Sequence, residues 1–255
     1  MIHKYSLNEL SRRRSVRKYS ARPLDPETAA SLDEEVGEIN KSYRGIRFQL
    51  CYDSPAAFAS FRKSYGLFSG VRNCLVAMTD RSVPHASEIA GFAAERFVMV
   101  ATRCGLGTCF VGVTFDGAKL DVSPRQDEKI LFVVSFGYEA EGNEGVLRSL
   151  MRRIVHARSL LPDDFYSARP EDLDLAHAIR KMPGLADGLK AVSVAPSARN
   201  QQPVRLRMDA GGVLRATTTV RNDFSDVDLG IAKFNFQSVV GGRWQWGDDG
   251  RFEPD

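Results

Sequence analysis

The chain has 255 residues, enough for one large domain or two small ones with a substantial buried core. Hydrophobic residues make up 43% and charged residues 26%, an ordinary balance for a globular protein. The net charge of +3 is too small to argue for nucleic acid or a membrane surface as a partner.

The N-terminal residues carry charges at His3, Lys4 and Glu9 and lack the apolar core of a signal peptide, so none is expected. Residues 6–14 read as a short helix with Leu7 and Leu10 on one face, running into an arginine-rich turn. Asp25 suits an N-cap and Pro26 the first helical position of a second helix, whose Leu32, Val36 and Ile39 recur at helical spacing. Residues 46–52 alternate like a half-buried strand, and residues 74–78 form a continuous apolar run, as a buried strand does. Residues 87–105 predict a central helix, apolar nearly all round, with Gly105 as its C-terminal cap. The longest apolar stretch, residues 97–115, is broken by Arg103 and by glycines, so no membrane span is expected. Another buried strand covers residues 130–137.

A charged stretch then precedes a second half that repeats the plan in shorter form, and the division is placed at residues 1–157 and 158–255. Helices are predicted over residues 171–182 and 184–194, strands over 204–208 and 213–219, and a long helix over 226–240. Residues 243–252 close as a hairpin around Gly247-Asp248-Asp249-Gly250. Both long helices open with acidic residues and an early glycine, Gly91 and Gly230. The cysteines Cys51, Cys74, Cys104 and Cys109 have no CxxC spacing and no histidine at zinc-ligand distance. Free buried thiols in a cytoplasmic protein, and no metal, are expected.

Three stretches carry chemistry. Arg13, Arg14, Ser15 and Arg17 offer guanidinium forks and a hydroxyl within five residues, as a phosphate monoester requires; a solvated basic turn is the alternative. Pro196, Ser197, Asn200, Gln201 and Gln202 form a rigid polar turn ending at Pro203, suited to the polar edge of a planar heterocycle or simply to joining a helix to a strand. Gly105-Leu106-Gly107-Thr108 follows a helix and lacks a third glycine at the dinucleotide spacing, which excludes a Rossmann fingerprint.

Arg-Arg-Ser-Val-Arg-Lys-Tyr, Gly-Leu-Gly-Thr and Ala-Pro-Ser-Ala-Arg-Asn-Gln-Gln-Pro together resemble the FMN-dependent nitroreductase family over nearly the whole chain. In ordinary members both motifs lie early in one protomer, and two subunits share each flavin. Here the first half has Arg13-x-Ser15 without Pro-Ser-x-x-Asn, and the second half the reverse. The chain therefore resembles the subgroup, of "putative TM nitroreductase" type, in which one polypeptide mimics the dimer.

The resemblance implies an α+β nitroreductase fold: three layers, a central mainly antiparallel sheet, long buried helices and internal duplication. It implies one FMN, its phosphate held by Arg13, Arg14, Ser15, Arg17 and Arg158, with Val111 and Gly112 near the ring and Pro196, Ser197 and Asn200 reaching it from the other half. Flavin does the redox chemistry, so no catalytic side chain is expected. NADH or NADPH would reduce the flavin in a ping-pong cycle, and a nitroaromatic, quinone or free flavin would take the electrons. The aromatic residue usual after Gln-Pro is Val204 here, which leaves room for a flavin-binding or flavin-sequestering protein with little turnover. A chain that already mimics a dimer is expected to be a monomer or a weak homodimer.

Overall fold

The structure, a computed structural model, describes residues 4–58, 68–141, 160–222 and 224–255. These residues form two compact units that interleave along the sequence. One draws on Arg12–Ala86 and Arg96–Leu150, the other on Met1–Ser11, Ser87–Glu95 and Met151–Asp255.

The first unit is built on a four-stranded antiparallel sheet of β1 (Ile46–Cys51), β2 (Asn73–Asp80), β3 (Gly107–Val111) and β4 (Glu128–Gly137), in the order β1-β2-β4-β3. Helix α2 (Pro26–Ser42), which follows the short α1 (Leu7–Arg12) in the chain, buries Leu32, Val36 and Ile39 as its periodicity predicts. Pro26 opens it, but Asp25 makes no capping bond with its side chain. That carboxylate instead accepts hydrogen bonds from Arg22 (2.9 Å) and from the Tyr138 hydroxyl (2.5 Å), which outcompete the local amides for it. Helix α3 (Ala86–Arg103) follows β2 and ends as its glycine foretells. Gly105 sits at φ +75°. The amides of Gly105 and Leu106 then reach back to the carbonyls of Thr102 and Ala101, both at 3.0 Å.

Strand β3 has no counterpart among the expected elements. It occupies five residues of the long apolar stretch after α3, and its burial alternates only weakly. Pairing with β4, Cys109 opposite Ser135, makes it a strand.

The second unit contains α4 (Leu175–Lys181), α5 (Leu185–Ser193), β5 (Val204–Met208), β6 (Leu214–Thr218), α6 (Ser225–Val240), β7 (Arg243–Trp244) and β8 (Gly250–Glu253). Its strands are also antiparallel and follow the order β5-β6-β8-β7, the same first-second-fourth-third sequence as in the other unit. In both, a long helix stands between the second and third strands. Helix α4 begins later than the acidic run at residues 171–174 predicts. Asp174 caps it, accepting from the His177 amide at 2.8 Å, while Asp172 is drawn away to the Arg207 guanidinium at 3.0 Å. The predicted closing hairpin is present, with Trp244 opposite Phe252. Phe236 meets Trp244 and Phe252 edge to face and those two rings tilt against each other, with centroids 4.9 to 5.3 Å apart.

The early glycines of the two long helices have a packing role. A Cβ on Gly91 of α3 would strike the Val227 carbonyl, and one on Gly230 of α6 would strike the Glu88 carbonyl. Within the second unit, backbone therefore meets backbone at these two positions. No helix among the described residues is long and apolar enough to cross a membrane.

Candidate functional site

The arginine-rich segment is held extended in the first unit by backbone pairing. Val16 donates to the Thr108 carbonyl at 2.8 Å, Tyr19 to Ser69 at 2.9 Å and Ser20 to Tyr138 at 2.9 Å. Tyr19 is buried and places its hydroxyl 2.7 Å from the Val16 carbonyl and 2.9 Å from the Ser135 hydroxyl. Gly107 owes its identity to this docking, since a Cβ there would come 2.6 Å from the Val16 side chain. With Val16 and Tyr19 turned into the core, Ser15 and Arg17 face outward.

Arg13, Ser15 and Arg17 converge on Cys109. Burial pushes that thiol up, while Arg17, Arg13 and a hydrogen bond from Ser15 work in the opposite direction. The Arg13 Nε is buried and has no hydrogen-bond partner among the described residues. Arg14 turns aside and pairs with Glu139. Two guanidinium groups, one with its Nε lacking an acceptor among the described residues, and a hydroxyl are donors of the kind a phosphate accepts. Val111 ends β3 in the core and Gly112 follows it half-buried. Arg158 lies outside the described residues.

The Pro-Ser-x-x-Asn turn belongs to the second unit. Arg199, Asn200 and Gln202 take φ values of 53°, 54° and 47°, three left-handed residues in four positions and none of them glycine. Such backbone persists only when its surroundings over-determine it. The Ser197 hydroxyl accepts from the Gln202 amide at 2.9 Å, and the Asn200 amide bonds the Ser197 carbonyl at 3.0 Å. The Gln202 side chain accepts from the Leu160 amide at 2.9 Å and donates to the Ser193 carbonyl at 3.3 Å. Val204 packs into the apolar core beside Phe165 and Val192. A cavity of about 10 Å³, the size of one water, lies under the turn between Phe165, Ser197, Gln202, Val204 and Asp228.

Two buried groups escaped the sequence reading. Asp228, near the start of α6, accepts from the Ala198 amide with both oxygens, at 2.9 and 3.2 Å. It is only 3% exposed, and burial raises it from 3.8 to about 7, with the Ala198 hydrogen bond opposing. Lys233 is fully buried and pairs with Glu88 at 2.5 Å. It also donates to the Gln245 and Gly247 carbonyls, each at 2.9 Å, so all three ammonium protons are used. Burial lowers its proton affinity, and the Glu88 charge opposes that. Asp and Lys within an apolar helix were the available signals, since such residues are seldom buried without a partner.

The chain matches a family model described as "Putative TM nitroreductase" over residues 7–239, and it belongs to that family. A "putative nitroreductase" of Thermotoga maritima has a similar structure, with a TM-score of 0.60 at 18% identity over 98% of this chain and 93% of that one. An FMN-dependent nitroreductase of Clostridium difficile aligns at a TM-score of 0.44 and 19% identity, over 54% of this chain and 89% of its own. A nitroreductase of Bacteroides fragilis with bound FMN aligns at 0.42 and 20%, over 55% and 90%. No curated protein sequence matches significantly.

Proposed function

We propose that the protein is an FMN-dependent oxidoreductase that passes electrons from NADH or NADPH to a small electron-poor acceptor. The observation that carries this reading is the buried Arg13 Nε, without a partner among the described residues, near Ser15 and Arg17. Arg13, Ser15 and Arg17 would hold the FMN phosphate, with Arg158 as a further candidate. Arg14, engaged with Glu139, would contribute charge only. Pro196, Ser197 and Asn200 would serve the ring, as would Val111 and Gly112. The Ser197 hydroxyl accepts from the Gln202 amide, which leaves its proton and one lone pair for a ligand. The bound flavin would accept a hydride from the nicotinamide and hand its electrons to a nitroaromatic, quinone or free flavin in a ping-pong cycle. The common strand order of the two sheets supports reading the chain as duplicated; on that reading it would be a monomer or a weak homodimer.

A second reading, a flavin-binding protein with little turnover, is favoured by one feature: Val204 sits in the core where the family carries an aromatic residue. FMN titration followed by desalting separates the outcomes. About one flavin per chain, bleached by NADH or NADPH and recovered on adding a quinone, supports the enzyme. Retained flavin that NAD(P)H does not bleach supports the second reading. Ser15→Ala with Arg17→Ala should weaken FMN binding at least tenfold in a folded protein, and unchanged affinity would remove the phosphate assignment.

A further inference from the structure

The first unit contains a pair of thiols that the proposed flavin chemistry does not use. Cys51 of β1 and Cys74 of β2 stand directly opposite each other in an antiparallel ladder whose register runs unbroken from Ile46–Thr79 to Cys51–Cys74. Directly opposed residues point to the same face, with α-carbons about 4.5 to 5.5 Å apart. A disulfide spans about 4.4 to 6.8 Å between α-carbons, so this pairing lies within its reach. Both are free, buried thiols.

Their surroundings differentiate the two. The neighbouring Cys51 and full enclosure both push the Cys74 thiol up. The neighbouring Cys74 holds the Cys51 thiol below its ordinary value against burial, which raises it. It lies on the edge strand of the sheet, next to the exposed Tyr52 and Asp53, and keeps 4% exposure. A thiol on an edge strand, backed by a fully enclosed second thiol directly opposite, is the arrangement of an attacking and a resolving cysteine. The other two cysteines are differently placed. Across β4, Ser135 stands opposite both Cys74 and Cys109, so Cys74 and Cys109 are two strand spacings apart, about 9.5 Å. That is beyond the reach of a bridge. Cys104 follows α3, and burial raises its thiol.

We propose that Cys51 and Cys74 are a redox modification site, a dithiol converted to an intramolecular disulfide by hydroperoxide. The Cys51 sulfur attacks one peroxide oxygen, the O–O bond breaks, and the departing oxygen leaves as water with the thiol proton. The sulfenic acid so formed is attacked by the Cys74 sulfur. The S–S bond forms, the S–O bond breaks, and the hydroxide leaves as a second water with the Cys74 proton. Two electrons pass from the sulfurs to the peroxide, and any dithiol reductant returns them. Hydrogen peroxide is small enough to reach a nearly closed sulfur when the edge strand opens locally.

The test needs no flavin, so its result is independent of the oxidoreductase reading. The folded protein is treated with a few equivalents of hydrogen peroxide, alkylated under denaturing conditions and digested without reductant for mass spectrometry. The expected product is a Cys51–Cys74 linked peptide, two hydrogens lighter than the two thiol peptides together and lost on adding dithiothreitol. In Cys74→Ser the reaction should stop at a Cys51 sulfenic acid, trapped by a cyclic 1,3-dione. Should that variant fail to fold, the wild-type map decides alone. Recovery of both residues as thiols, a bridge involving Cys104 or Cys109, or irreversible oxidation of Cys51 without a bridge overturns the proposal.

Discussion

Replacing Asp228 with asparagine should change how stability depends on pH. In the native protein this carboxyl is held near 7 by burial, against an ordinary value of 3.8, and no cation pairs with it among the described residues. The folded state therefore keeps a proton that the unfolded chain has released. Its stabilising effect is complete below about 3.8 and is lost as pH rises towards 7. Over the whole interval the loss is on the order of 4 kcal/mol, and between pH 5 and pH 8 about 3 kcal/mol of it falls due. Asparagine keeps an oxygen to accept the Ala198 amide and does not titrate. Its amide nitrogen, facing Phe165, Val192 and Ala232, costs about 1–3 kcal/mol at every pH. Urea unfolding at pH 5, 6, 7 and 8 should thus find Asp228→Asn gaining about 3 kcal/mol on the wild type across the series. A wild-type-to-variant difference that stays flat from pH 5 to pH 8 would refute the reasoning, because it would mean the carboxylate is ionised throughout.

Three further outcomes follow from the packing. Lys233→Met strands the Glu88 carboxylate in the core with only the Gly247 amide, and should cost about 3–5 kcal/mol in urea unfolding. Adding Glu88→Met should recover most of that loss, and a double variant worse than the single one would contradict the ion-pair account. Gly230→Ala drives a methyl group into the Glu88 carbonyl and should destabilise by about 1–3 kcal/mol, read as a lowered Tm. Ser197→Ala removes the acceptor of the Gln202 amide and should cost about 1 kcal/mol, with faster hydrogen exchange at that amide; unchanged exchange would show that the hydroxyl does not restrain the turn.

Much of the fold was legible because it rests on local rules. The spacing of Leu32, Val36 and Ile39, the Pro26 start, the Gly105 stop and the apolar run of β2 each follow from backbone geometry within a few residues. The polar groups that the Arg13–Ser15–Arg17 segment and the Pro196–Asn200 turn present were equally visible, because they belong to residue types at close spacing in the chain. The short strand β3 was hidden, since its identity comes from a partner strand more than twenty residues away. The start of α4 was misplaced because Asp172 serves Arg207 of β5 instead of its own helix.

The sequence by itself determined the elements, the glycines and prolines that bound them, and the two polar motifs, all properties of neighbouring residues. Only the tertiary structure decided that Arg14 is spent on Glu139, that Ala198 hangs on Asp228, that Lys233 is closed by Glu88 and that Cys51 faces Cys74. Each of those pairings joins residues remote in sequence. Local propensity cannot select among distant partners; burial does, by making an unpaired donor, acceptor or charge too costly to leave behind.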